Sequence, residues 1–180
     1  MALHIIIDGY NVIHQLPRIA GGDIGNTDLQ HCRESLVDNL SAYRKIRNHQ
    51  ITVVFDGWKG SNTYRETSEQ VKGIKVIYTP MGVTADEVIK RLAREGRERA
   101  VIVTADRDIE GYAERQTATV ITPAMFCAKV EEAKIAELKG EINSQEADRL
   151  ESVSDGLKKK GPARRPPSRI RKNIRKVEKL

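Results

Sequence analysis

Three runs of bulky apolar residues in this sequence each lead into an aspartate, a pattern that can assemble an acidic pocket. The runs and their aspartates are Leu3–Ile7 with Asp8, Ile51–Phe55 with Asp56, and Ala100–Thr104 with Asp106. Clustered carboxylates repel one another, and they persist most readily where a divalent cation or shared protons offset the repulsion. The pattern therefore predicts an acidic pocket that holds a divalent cation or shared protons. The alternative is that each aspartate is a turn or helix-cap residue, which explains one of them more easily than all three.

The runs that carry these aspartates are short and rich in Ile and Val, which is typical of strands buried on both faces of a parallel sheet. The carboxyl ends of such strands gather at the edge where open α/β folds bind ligands. Further strands are predicted at Ile74–Tyr78 and Ala118–Thr122, with helices around Leu29–Tyr43, Ala85–Ala93 and Asp108–Arg115 and from Pro123 to about Lys139. This alternation predicts an α/β sandwich with a mainly parallel five-stranded sheet. The polar segment Trp58–Lys72 is predicted to be a long exposed loop or a loosely packed segment.

The charge of the chain is concentrated at one end. Residues 156–180 contain eleven Lys and Arg and one Glu, a net of +10, which leaves −4 for residues 1–155 out of the overall +6. We expect a domain at 1–140, a polar linker or solvated helix at 141–155, and a basic, proline-containing tail at 156–180 that is disordered in isolation.

Cysteine usage and hydropathy narrow the class of protein. Cys32 and Cys127 lie far apart and outside any CxxC pattern, so neither a disulfide framework nor a zinc site is indicated, and a reducing compartment fits. The first strand begins at once, without a basic leader or an apolar stretch long enough for a signal peptide or a membrane span. We therefore expect a cytoplasmic protein that does not engage a membrane.

Four short motifs occur in a fixed order along the first 140 residues. They are Ile6-Ile7-Asp8-Gly9-Tyr10-Asn11-Val12-Ile13, Val54-Phe55-Asp56-Gly57, Thr84-Ala85-Asp86-Glu87 and Val103-Thr104-Ala105-Asp106-Arg107-Asp108. Together they resemble the NYN domain of the PIN-like nuclease superfamily, in particular its YacP-like branch. The resemblance implies a PIN-like three-layer fold and metal-dependent RNA cleavage. It places the family's acidic positions at Asp8, Asp86, Asp106 and Asp108, and the polar residue beside the first of them at Asn11.

The chemistry of these residues suits Mg²⁺ or Mn²⁺, because hard divalent cations favour oxygen ligands and Mg²⁺ typically uses one or two carboxylates. Asp8 and Asp106 satisfy that need. Asp86 could complete the cluster or simply interact with the dipole of its own helix. Asp108 could bind metal, orient water or cap a helix. The reaction expected is attack of a metal-activated water on a phosphodiester.

Two polar residues near this cluster have competing roles. The amide of Asn11 could hold a carboxylate or a metal-bound water, or it could form a plain Asx turn. Asp56 precedes Gly57, so a turn-forming role competes with membership of the site, and we treat it as a peripheral candidate.

An acidic pocket repels a polyanionic substrate unless cations lie close by. Lys59, Arg65, Lys72 and Arg107 are placed in the sequence to contact phosphates, although each could equally be a solvated surface charge. Trp58 could stack on an unpaired base or pack as a core aromatic.

The leading functional prediction is a metal-dependent endoribonuclease, a hydrolase whose basic tail anchors it to structured RNA or to the ribosome, with ribosome-associated mRNA as a candidate substrate. The alternative is a catalytically inactive module that binds RNA or the ribosome. A phosphatase of another α/β family is disfavoured, because the sequence has neither an Asp-x-Asp pair after the first strand nor a Walker-type glycine loop.

Overall fold

One mostly parallel sheet organises the part of the chain that the computed structural model describes, namely residues 2–15, 29–57, 64–147, 176–177 and 180. Its strands are β1 (His4–Asp8), β2 (Gln50–Phe55), β3 (Thr67–Val71), β4 (Ile74–Tyr78), β5 (Ala100–Val103) and β6 (Thr119–Ile121). The spatial order is β3-β4-β2-β1-β5-β6, and only the β3–β4 pair is antiparallel. The strand that ends in Asp8 is therefore central, between the strands that lead to Asp56 and Asp106.

Helices cover both faces of this sheet. They are α1 (Gly9–Gln15), α2 (Leu29–Arg47), α3 (Ala85–Gly96), α4 (Arg107–Arg115) and α5 (Pro123–Ala147). Successive strand residues point to opposite faces. Ile5 and Ile7 accordingly pack in the core with α1, α2 and α5, whereas Ile6 packs with α3 and α4. The α/β architecture and the mainly parallel sheet that the sequence predicts are thus confirmed.

The segment that was predicted as a long loop contains a sixth strand. Residues 67–71 form β3, an edge strand that is largely exposed and carries no apolar alternation. It pairs with β4 through a tight turn in which Lys72 and Gly73 have φ values of +50° and +83°. Two consecutive positive φ values match the twist of a hairpin, so the turn and the pairing to β4 hold this polar strand in place. Residues 58–63, the rest of the predicted loop, lie outside the described residues.

Helix boundaries differ from the sequence prediction at two places. Helix α1 begins at Gly9, directly after Asp8, where the sequence predicts no helix. A Cβ atom at Gly9 would lie 2.3 Å from the Phe55 ring, so this close approach of α1 to β2 requires glycine. Helix α5 continues past Lys139 to Ala147, so residues 141–147 are helical. None of the described helices is both long enough and apolar enough to cross a bilayer.

The end of the chain packs into the core. Leu180 is 1% exposed and belongs to the same core cluster as Tyr43 and Phe126, and Val177 packs against that cluster. The Tyr43 hydroxyl donates a hydrogen bond to the Leu180 carbonyl. Residues 156–175 and 178–179, which include most of the predicted basic tail, lie outside the described residues. Val177 and Leu180, which belong to this segment, pack on the domain, and the disorder expected for the basic tail in isolation stays a prediction.

Candidate active site

Four aspartates meet at the carboxyl edge of the sheet. Asp8 is the last residue of β1, Asp56 directly follows β2, Asp86 lies in the first turn of α3, and Asp106 is the N-cap of α4. Burial raises the pKa of Asp8 to about 6, and the charges of Asp86, Asp56 and Asp106 add to that increase. The three strand-end aspartates of the sequence therefore do converge, and Asp86 joins them.

The pKa of Asp86 is raised by the same two causes as that of Asp8, burial and neighbouring carboxylates. Partial burial raises its pKa, and the charges of Asp106, Asp56 and Asp108 raise it further, while Lys90 lowers it. A purely capping residue at a helix N-terminus would be stabilised as an anion. At Asp86, by contrast, burial and the neighbouring carboxylates disfavour the anion.

Asp56 has a clear structural role. Its Oδ1 accepts a hydrogen bond of 2.6 Å from the backbone N–H of Ala85, the first residue of α3. The Thr84 hydroxyl accepts from Glu87 N–H in the same turn, which confirms the predicted helix start. Asp56 therefore fixes the N-terminus of α3, and with it Asp86, against the end of β2. The sequence suggested a turn for this residue and did not reveal the cap.

Asn11 connects two of the acidic elements. Its backbone N–H donates to Asp8 Oδ1 at 3.1 Å, and its side-chain Oδ1 accepts from the Ala105 N–H at 3.2 Å. One residue thus orients the Asp8 carboxylate and holds the β5–α4 loop beside it. The contact with the carboxylate is thus made by the backbone N–H, whereas the prediction assigned it to the side-chain amide, whose oxygen contacts Ala105.

Asp106 caps a helix and lies in the acidic cluster, while its role as a metal ligand stays a prediction. Its Oδ1 accepts from the Asp108 N–H at 2.7 Å and from the Ile109 N–H at 3.4 Å, so it caps α4. Its own N–H donates to the Thr104 hydroxyl at 3.1 Å. The carboxylate is at the same time close enough to Asp8 and Asp86 to raise the pKa of both. Capping fixes its position within the acidic cluster.

Asp108, two residues after Asp106, forms an ion pair with a lysine of α3. Its Oδ2 accepts a hydrogen bond from the ammonium of Lys90, and this contact lowers the pKa of Asp108. Lys90 lies one turn beyond Asp86 on α3. Lys90 is not among the candidate residues that the sequence predicts. The i, i+4 spacing between an acid and a lysine was the available signal, but such pairs are common on helix surfaces.

The predicted phosphate-contacting cations are distributed unevenly. Arg107 is exposed at the start of α4, next to Asp106. Arg65 is exposed two residues before Thr67, which pairs with Tyr78 at the carboxyl end of β4. Lys72 is different: it lies in the β3–β4 turn, at the opposite edge of the sheet, and pairs with Asp38 of α2. The hairpin that the sequence did not predict is the reason for that placement. Lys59 and Trp58 lie outside the described residues.

The carboxylates at this edge would bind a hard divalent cation with water or phosphate oxygens completing its coordination. Within the described ranges, no group of three or more Asp, Glu, His or Cys side chains is arranged to hold a metal ion. Mg²⁺ needs only one or two carboxylates, because waters and phosphate oxygens complete its coordination. Asp8 and Asp106 meet that requirement, and the repulsion around Asp8 is what a cation would relieve.

Comparison with known proteins identifies the family. A profile described as the YacP-like NYN domain matches residues 5–164. The chain belongs to this family. Two crystal structures of Rae1 (YacP) from Bacillus subtilis share the fold. One, of a mutant with a single tryptophan-to-leucine substitution, has 23% identity over 80% of this chain and 85% of that chain and a TM-score of 0.63. The other has 21% identity over 83% and 84% and a TM-score of 0.62. No curated protein matches the sequence.

Family membership confirms the resemblance seen in the four motifs. The NYN domain belongs to a nuclease superfamily, and its NYN and PIN-like members generally use divalent metals. The nuclease-like, PIN-like fold is therefore established for this YacP-like protein.

Proposed function

We propose that this YacP-like protein is a metal-dependent endoribonuclease, with Mg²⁺ or Mn²⁺ held at the carboxyl edge of the sheet. The observation that supports this proposal most directly is the convergence of Asp56, Asp86 and Asp106 on Asp8, whose pKa is raised to about 6. Placing like charges together costs stability unless a ligand offsets it, and perturbed carboxyls of this kind cluster at functional sites.

In this proposal Asp8 and Asp106 bind the cation. Asp86 and Asp108 are the other two acidic residues of the site. A divalent ion bound there would lower the pKa of the attacking water and neutralise charge on the phosphodiester. Asn11 keeps the Asp8 carboxylate oriented, since its N–H holds Oδ1. Asp56 fixes the N-terminus of α3 at the edge, where the positive end of the helix dipole favours a phosphate.

The proposed substrate is RNA, with ribosome-associated mRNA as the candidate class. Arg65 and Arg107 are exposed near the carboxyl edge and would contact phosphates on either side of the cleaved bond, with Lys59 assigned the same role from the sequence. The basic segment at 156–180 would supply further sequence-independent attraction to RNA or to the ribosome, because each phosphate it neutralises releases counterions.

The test is incubation of the purified full chain with 5′-labelled single-stranded RNA in Mn²⁺, Mg²⁺ or EDTA. The proposal predicts internal cleavage with either metal and none with EDTA. The alternative, an inactive RNA-binding module, predicts that the RNA is bound and remains intact in all three conditions. Intact RNA with both metals, across structured and unstructured substrates, would overturn the assignment of activity.

A further inference from the structure

Lys90 brings a positive charge to the acidic edge. It lies on α3, and its ammonium donates to Asp108 Oδ2 on α4. The side chain of Lys90 is 25% exposed, whereas that of Asp108 is 75% exposed. The stem of Lys90 is therefore partly covered by the domain, while its ammonium and the Asp108 carboxylate both remain at the surface.

The charge of Lys90 acts on the cluster as well as on its partner. It lowers the pKa of Asp86, against the effect of the surrounding carboxylates. Its own pKa is raised first by the hydrogen bond to Asp108, and also by the charges of Asp86 and Asp106. The ammonium thus lies within electrostatic reach of the residues proposed to bind the metal.

An ion pair at this degree of exposure is weak and exchangeable, since the median surface pair contributes little net stability. A carboxylate and a phosphodiester offer the same kind of acceptor, an anionic oxygen, and lysine binds phosphate as a compact point charge. We propose that Lys90 contacts the phosphate that is cleaved, and that Asp108 occupies its ammonium until the phosphate replaces the carboxylate. This inference rests on the proposed nuclease function, and it gives Asp108 a role other than metal binding.

Lys129 provides a matched control. It is a helical lysine with the same side-chain exposure, 25%, paired with an exposed glutamate, Glu132, on α5. The full-length Lys90→Met and Lys129→Met variants would be assayed in Mn²⁺ with two substrates: labelled RNA and bis(4-nitrophenyl) phosphate, which carries a single phosphodiester.

Loss of a charge-assisted contact should lower kcat/KM of Lys90→Met roughly 10- to 100-fold on both substrates. Lys129→Met should remain at the parental rate, and Lys90→Arg should recover part of the loss. A residue that contacts only flanking phosphates would affect the RNA and leave the small ester unchanged, and that result would overturn the proposal.

Asp108→Asn separates the two roles of Asp108 by sign. If the carboxylate competes with substrate for Lys90, its removal lowers the KM for RNA by about two- to fivefold, in keeping with a weak surface pair, and leaves the Mn²⁺ concentration for half-maximal activity unchanged. If Asp108 is a metal ligand, the variant needs more Mn²⁺ and is slower, and the proposal fails.

A binding measurement distinguishes failure of this inference from failure of the nuclease assignment. Fluorescence anisotropy of labelled RNA with Ca²⁺ in place of Mn²⁺ requires no turnover. Weaker binding by Lys90→Met than by Lys129→Met would support the phosphate contact even if the parent cleaved nothing. Equal affinity of the two variants would overturn it, whatever the activity of the parent.

Discussion

Each end of strand β1 carries a partly buried ionisable side chain, and burial shifts the two pKa values in opposite directions. At the amino end, His4 Nε2 forms a 2.8 Å hydrogen bond with the Thr52 hydroxyl, and burial lowers the pKa of His4, assisted by Lys75 and Arg99 and opposed by Glu95. At the carboxyl end, burial raises the pKa of Asp8, and the neighbouring aspartates all act in the same direction.

Burial disfavours charge at both ends, so the difference lies in the neighbours. His4 has a neutral hydrogen-bond partner, the Thr52 hydroxyl, and charges of both signs around it. The uncharged ring is therefore stable in this position. Asp8 is surrounded by residues of its own sign, and only its hydrogen bond from Asn11 favours the anion. The amino edge is therefore arranged for stability, and the carboxyl edge holds repulsion that a bound cation would remove.

The largest effect is expected at the carboxyl end. Asp8→Asn and Asp106→Asn should each reduce RNA cleavage by about a thousandfold or more, because a bound metal ion supplies several kcal/mol of transition-state stabilisation. His4→Gln, at the other end of β1, serves as the control and should cleave at the parental rate. Circular dichroism would verify the fold of each variant. Full metal-dependent activity in Asp8→Asn or Asp106→Asn would remove that residue from the site.

A second effect concerns stability without metal. The pKa of Asp8 rises from an ordinary 3.8 to about 6, which corresponds to roughly 3 kcal/mol at most between the two protonation states. Asp8→Asn should therefore melt at a higher temperature than the parent in EDTA. Millimolar Mn²⁺ should stabilise the parent and stabilise the variant much less, since only a ligand that binds the folded state raises stability.

The pH dependence of the metal-free parent has a defined sign. Because the pKa of Asp8 is higher in the folded state, its stabilising contribution is complete below pH 3.8 and is lost as the pH rises through about 6. Denaturation in urea should show this loss in the parent and a flatter profile in Asp8→Asn. A less stable Asp8→Asn with an unchanged pH profile would mean that the aspartates are independent turns and caps.

The smallest effect is expected at the amino end. Thr52→Val removes the hydroxyl that pairs with His4 and should cost about 1 kcal/mol at pH 8, where the ring is neutral. The lowered pKa of His4 means that its contribution is present above its ordinary pKa of 6.5 and is lost as the pH falls, the opposite slope to that of Asp8. Chemical denaturation of both proteins at pH 8 measures the difference. No loss in Thr52→Val would show that the two ends do not differ as described.

How far the sequence predicts this molecule depends on whether local pattern or tertiary packing decides an element. The strands before Asp8, Asp56 and Asp106 follow from apolar runs, and α3 follows from its Thr84 cap and apolar stripe, so their convergence at one edge was predictable. Strand β3 was not, because its stability comes from pairing with β4 and from a turn at Lys72–Gly73 rather than from apolar alternation.

The details of the site were less accessible from sequence. The Asp56 cap joins residues 29 positions apart, and the Lys90–Asp108 pair depends on how α3 packs against α4. The Asp8 side chain caps α1 by accepting from the Asn11 N–H, but the helix has only seven residues, so its pattern is too short to be recognised. The family resemblance located the acidic residues but said nothing of the lysine.

The buried position of Leu180 makes this residue part of the fold. Its side chain is 1% exposed and packs in the same core cluster as Tyr43 and Phe126, so removing it would leave a cavity there. A variant that lacks residues 156–180 therefore loses core packing together with the positive charge of that segment. Substitutions that neutralise Lys and Arg while Val177 and Leu180 stay in place would change the charge alone.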